Sequence, residues 1–130
     1  MHSIRMFVNG QAMSGGSINH GLAEATFLGE CRTSPKYKFF SVRDEFPGLH
    51  EVGEGGNSIK GELYETTLTN MRQRLLPLEP LELELSVIEL EDGTGSLAMI
   101  MRHEWLDQPN VTDISKFEGW RSFQATEGGR

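Results

Sequence analysis

The chain has 130 residues, a hydrophobic content of 37%, a mean hydropathy of -0.39 and a formal net charge of -7. That is one domain with room for a sizeable core, without the roughly 20-residue apolar run of a membrane helix, and its pI near 5.0 lacks the basic footprint that nucleic acid or an anionic membrane demands. A single cysteine, Cys31, excludes an internal disulfide framework, and the opening MHSIRMF lacks a signal peptide's apolar segment, so the cytoplasm is the expected compartment.

Fifteen glycines, five prolines and short apolar runs predict an α+β chain in which β dominates. Ile4 to Val8 reads as the first strand and runs into the turn Asn9-Gly10-Gln11-Ala12-Met13. That turn is either a plain connection or a nest of backbone amides able to hold an anion without a positive side chain. Ile18 to Ala25 reads as a short helix with Ser17 as N-cap and Leu22 facing inward. Two strands follow, Phe27 to Thr33 and Tyr37 to Val42, and then a long loop over residues 44–58 in which Pro47-Gly48 signals a turn. Ile59, Gly61 and Leu63 alternate with Lys60, Glu62 and Tyr64, as a half-buried strand requires.

The clearest helix is Thr67 to Leu76, capped by Thr67 or Thr69 and stopped by Pro77, with Leu68, Met71, Leu75 and Leu76 as its apolar stripe. The clearest hairpin follows: Leu81, Leu83, Leu85 and Val87 share one face, Asp92-Gly93 begins the turn, and Ser96 to Met101 returns. Asp113 caps a last helical turn before a closing segment with Trp120 and Phe123, and residues 124–130 are expected to fray. No repeat or linker divides residues 1–130.

Side-chain chemistry is sparse. His2, His20, His50 and His103 are scattered without ligand spacing, so no metal site is expected. Cys31 has no sequence-linked histidine and reads as a structural thiol. The segment GEGGNSIKG departs from the phosphate-loop spacing and precedes a strand where that loop needs a helix. Asn110-Val111-Thr112 is formally a glycosylation sequon, which carries meaning only in a secreted chain. Glu82, Glu84 and Glu89 read as the wet side of an amphipathic strand.

Taken in order, FVNGQAM, FLGECRTSPKYKFFSV, FPGL, IKGELYE, the helix and ELSVIELEDG resemble the gamma-glutamylcyclotransferase-like superfamily. The resemblance is closer to the C-terminal domain of allophanate hydrolase and its free-standing relatives, whose closing DIS.FGGWR stands here as Asp113 to Arg121. It runs from Met6 to Phe123. It implies a small mixed β-barrel with flanking short helices and a cavity at one end, and no cofactor. It also implies a site in which Asn9, Gly10, Gln11, Ala12 and Met13 hold a small anionic amide or ureido ligand, Tyr37 and Tyr64 line the cavity, and a glutamate moves a proton. Asn9, Gln11 and Ala12 depart from the Tyr, Ser/Thr and Leu of the cyclotransferases, and the asparagine matches the allophanate hydrolase branch.

Strand phase chooses between two glutamates. Pro80 holds Glu79 extended, and an uninterrupted extension puts Glu79 on the face of Leu81, Leu83 and Leu85, with Glu82 pointing away. Glu79 is therefore the expected general acid/base and Glu82 the runner-up. Two functions follow from the resemblance: transferase or hydrolase chemistry on a carboxylated amide or ureido compound, or a non-catalytic module that assembles with an amidase-type enzyme. For assembly, a homodimer and an amidase-type partner both stay open.

Overall fold

In a computed structural model, which describes residues 2–128, the chain is built on eight strands and short helical segments. The strands are β1 (Ser3–Val8), β2 (Thr26–Arg32), β3 (Tyr37–Val42), β4 (Phe46–Glu51), β5 (Lys60–Thr67), β6 (Leu83–Glu89), β7 (Gly95–Met101) and β8 (Val111–Asp113). Strands β2, β5, β1, β7 and β6 lie side by side in that order. Their outer edges then meet at the bridge Thr33↔Leu90, flanked by bonds from Ser34 N–H to Glu89 O and from Glu91 N–H to Arg32 O. The sheet thus curls into the small mixed barrel that the resemblance implies: β1 and β4 run parallel to β7, and the remaining pairings are antiparallel.

Phe7, Ile88 and Ala98 are buried on the interior face. On the opposite face of β1 and β5, Met6, Val8 and Tyr64 join one core with Leu22, Met71 and Leu75 from the helical segments. Because β5 is covered on both faces, Glu62 is as buried as Gly61, and the simple wet/dry alternation fails there. A second core of Val42, Phe46, Leu83 and Met101 lies under β3 and β4.

Helices form where expected but are shorter or less regular. Only Asn19–Leu22 of the first forms, as a 3-10 turn preceded by Ile18 rather than capped by the Ser17 side chain. The second starts as α1 (Leu68–Asn70), with Thr67 Oγ1 accepting from Asn70 N–H, widens to a π turn over Met71–Leu75 and tightens to 3-10 over Leu76–Leu78. Met71 and Leu75 pack inward while Leu68 is exposed. Near the C-terminus Asp113 Oδ1 accepts from Ser115 N–H, ahead of a 3-10 turn. There α2 (Trp120–Phe123) anchors the end with a buried Trp120, and a π turn continues over Gln124–Gly128 where fraying is expected. Residues 129–130, the rest of that expectation, lie outside the described residues.

Two expectations are corrected. Residues 44–58 are not all loop, because β4 runs through Pro47-Gly48. The reversal sits instead at Arg43-Asp44, both at positive φ (53° and 58°), closed by Glu45 N–H to Val42 O. Ser41 Oγ accepts from Asp44 N–H and donates to its carboxylate, which offsets the strain of two non-glycine residues there. Pro47 is tolerated because it lies at the start of the strand. The hairpin β6–β7 forms with Gly93 at φ 86° in its turn, but Leu81, Leu85 and Val87 are exposed and only Leu83 of the four is buried. A turn at Leu81-Glu82, closed by Leu83 N–H to Pro80 O, interrupts the extension before β6, so strand phase does not carry from Glu79 and Leu81 to Leu83, Leu85 and Val87.

Candidate active site

Strand β6 occupies one edge of β7 along its whole length, so β1 and β4 must divide the other. β1 takes Leu97 and Ala98, and β4 takes Ile100. The two strands diverge, and a cleft opens between the end of β1 and the start of β4. Asn9 leaves β1 there, and Met13 N–H donates to Gly10 O at 3.0 Å to close a β-turn. The amides of Gln11 and Ala12, at its centre, lie outside that turn's own hydrogen bond. Across the cleft stands Pro47, so close that a Cβ at Gly10 would lie 2.6 Å from the proline Cγ. Only glycine fits.

Glu79 completes the cleft. It follows the 3-10 turn over Leu76–Leu78 with φ -77° and ψ 144°, the extended conformation that Pro80 demands. Asn9, Gly10, Gln11, Ala12, Pro47 and Glu79 therefore line one space of about 30 Å³, walled by Phe46, Leu83 and Met99. Burial among these apolar groups pushes the Glu79 carboxyl up from 4.5 to about 7. Asn9 is 8% exposed, and neither its carboxamide nor the Glu79 carboxyl has a hydrogen-bond partner among the described residues. Neither is among the fully buried unpaired atoms, and Glu79 is only half-buried, so both polar ends stay open to a ligand entering the cleft. Among the described residues no lysine or arginine lines the cleft.

The other expected site residues lie elsewhere. Met13 lines a second, larger cavity on the far side of the loop. Tyr37 and Tyr64 line neither space, because their rings are core and their hydroxyls are spent on structure. Tyr37 Oη accepts from Glu89 N–H, and Tyr64 Oη donates to Glu62 and accepts from Asn19 Nδ2. Glu82 is not on a wet face; it is buried and accepts from Arg43 Nη1 at 2.9 Å.

Sequence reasoning missed Glu62, which is 2% exposed. Its carboxylate accepts from the Ser14 amide and hydroxyl, both at 2.7 Å, from Tyr64 Oη at 3.1 Å and from Arg121 Nη2 at 3.1 Å. Burial would raise this carboxyl, but the Ser14 bonds, then Arg121 and Tyr64, pull it below its usual range. This clamp ties the loop after the Gly10 turn to β5 and to the closing DISKFEGWR segment. Nothing in the alternation of KGELYETT sets Glu62 apart from Lys60 and Glu65; its partners Ser14 and Arg121 lie far along the chain. Cys31 is half-buried, and burial, reinforced by Asp92, pushes its thiol up, away from a nucleophilic thiolate. Among the described residues no group of three His, Cys, Asp or Glu side chains is placed to hold a metal ion, and no helix is long and apolar enough to cross a membrane.

A curled mixed barrel with short helices and a glycine turn leaving β1 defines a gamma-glutamylcyclotransferase-like fold. An AIG2-like protein from Mus musculus shares it at a TM-score of 0.65 and 21% identity, over 85% of this chain and 86% of that one. More narrowly, the chain belongs to the allophanate hydrolase C-terminal domain family, which matches residues 4–125. A uropathogenic E. coli-specific protein superposes with a TM-score of 0.89 at 27% identity, covering 97% of this chain and 98% of that one. Kluyveromyces lactis allophanate hydrolase superposes with 0.87 at 25% identity over 96% of this chain, which spans only 21% of that protein. No curated protein matches the chain.

Proposed function

We propose that the protein is a small-molecule enzyme acting on a carboxylated amide or ureido compound, with Glu79 as general acid/base. The observation that carries this reading is the Glu79 carboxyl, about 7 and unpartnered, beside the Gly10–Met13 turn. A group titrating there holds both protonation states at neutral pH, which general acid–base catalysis requires. The central amides of the turn and the Asn9 carboxamide orient the anionic end of the ligand. In a carboxylated urea the C–N bond to the carboxylate breaks, the carbon leaves as carbon dioxide, and the electron pair stays on nitrogen, which takes the proton from Glu79. In a γ-glutamyl amide the substrate's own α-amine attacks the carbonyl carbon, and Glu79 passes that amine's proton to the departing nitrogen.

Cleft size selects among substrates. About 30 Å³ holds roughly two water-sized groups. That suits one end of a carboxylated urea and excludes a γ-glutamyl amine unless Pro47 withdraws from Gly10. The test is turnover of a panel of carboxylated ureas and γ-glutamyl amines. Glu79→Gln is expected to lower it by about 10²–10⁴-fold with folding intact, the usual worth of a positioned general acid/base.

A second reading, a non-catalytic module that assembles with an amidase-type enzyme, is favoured by the same narrowness and by the larger allophanate hydrolase chain in which the relative domain sits. No turnover by the unaltered protein on any compound of the panel would favour this second reading, whereas full turnover by Glu79→Gln would keep the enzyme and remove Glu79 from its chemistry.

A further inference from the structure

On the other side of the loop, the mouth of the barrel opens into a cavity of about 600 Å³, within the usual range for small-molecule sites. Met13, Leu63, Leu90 and Trp120 give it apolar walls, and Arg5, Arg32, Lys60 and Arg121 surround them. It shares no lining residue with the Glu79 cleft. Four cations around one cavity are unexpected in a chain of net charge -7.

These cations are not used up by the fold. Each arginine bonds the protein through a single terminal nitrogen. Arg5 Nη2 donates to Thr94 Oγ1 and Gly95 O, Arg32 Nη1 to Ser58 O, and Arg121 Nη2 to Ser14 and Glu62. Lys60 has no side-chain partner among the described residues. Arg32 and Lys60 also stand directly opposite each other in the β2–β5 register, an arrangement of like charges that costs stability unless an anion lies between them. Glu118 offsets part of this from 3.6 Å on Arg32. Of the acids on the rim, Asp92 is engaged by the Thr94 amide and hydroxyl, while Glu30 and Glu91 are exposed.

We propose that this cavity is a second binding site, for a small organic carboxylate with an apolar body. The carboxylate sits between Arg32 and Lys60, within reach of the free guanidinium nitrogens, and the body lies against Leu63, Leu90 and Trp120. This proposal stands whether or not Glu79 is catalytic.

The test is NMR titration of the full chain with hexanoate, read at the Trp120 indole N–H, which is buried without an acceptor among the described residues, and at the Gly61 and Gly119 amides. Saturable shifts at these three sites are expected, weakened about tenfold or more in Lys60→Met and again in Arg32→Gln, since each removes a charge-assisted contact. Both substitutions lie at the rim, and unchanged spectra of the free variants establish that they fold. Three results overturn the proposal: no saturable shift up to about 10 mM ligand, already a weak affinity; shifts confined to residues 9–12, which place the ligand in the cleft; or inorganic phosphate binding as tightly as hexanoate, which removes any role for the apolar walls.

Discussion

Replacing Glu79 with glutamine takes a carboxylate out of a half-buried apolar cleft while keeping its shape, and its effect on stability follows from the burial. The carboxyl moves from 4.5 to about 7 on folding. At about 1.4 kcal/mol per tenfold change in proton affinity, the ionised form costs the folded protein about 3 kcal/mol. The sign is fixed by which state keeps the proton. Below 4.5 the carboxyl is protonated in both folded and unfolded chains, and no penalty exists. Between 4.5 and about 7 the unfolded chain ionises first, so the unaltered protein loses stability as pH rises, and above about 7 the loss is complete. Glu79→Gln abolishes this slope. Its own buried amide carries a cost that does not vary with pH, and that cost cancels when the two proteins are compared by urea unfolding at about pH 4 and again at about pH 8. The stability difference, variant minus unaltered protein, is expected to rise by about 2–3 kcal/mol between those conditions. A difference that stays constant, or a Glu79 side chain that titrates near 4.5 by carbon-detected NMR, would refute the burial argument and with it the general acid/base assignment.

Glu82→Gln is expected to act on stability rather than turnover: it weakens the bond between buried Glu82 and the partly exposed Arg43, costing about 1–3 kcal/mol in chemical unfolding, with the rate per folded molecule unchanged. Trp120→Ala should cost about 3–5 kcal/mol, since the ring is 2% exposed and stacks 5.5 Å from Phe123; a melting temperature equal to that of the unaltered protein would show the closing segment to be dispensable. Gly10→Ala drives a methyl into the Pro47 ring, for about 1–3 kcal/mol of overpacking and loss of ligand binding in the cleft. Pro47→Ala in the same chain should restore part of both, and a double variant no better than Gly10→Ala would show that Pro47 is not what the methyl meets.

Local chemistry was legible in the residues themselves. Alternation and turn residues placed β1, β2, β3, β5 and the β6–β7 hairpin; Thr67 and Pro77 bounded a helix; Pro80 held Glu79 extended; and the ordered motifs pointed to a small mixed barrel of the allophanate hydrolase C-terminal kind. These features depend on neighbours within a few positions, and sequence spacing records such neighbours directly. What the tertiary structure decided depends on distant partners. Glu62 and Glu82 are both glutamates on alternating segments that read as wet, yet both are buried, because Ser14 and Arg121 reach the one and Arg43 the other from far along the chain. Tyr37 and Tyr64 are buried with hydroxyls satisfied by partners no periodicity reveals. Pro47-Gly48 reads as a turn, but β3 and the edge of β7 draw it into a strand, and the reversal falls on Arg43-Asp44 because Ser41 supports it. The cleft exists only because β1 and β4 compete for one edge of β7, a consequence of sheet order that pairs Asn9 with Glu79 across 70 residues of chain.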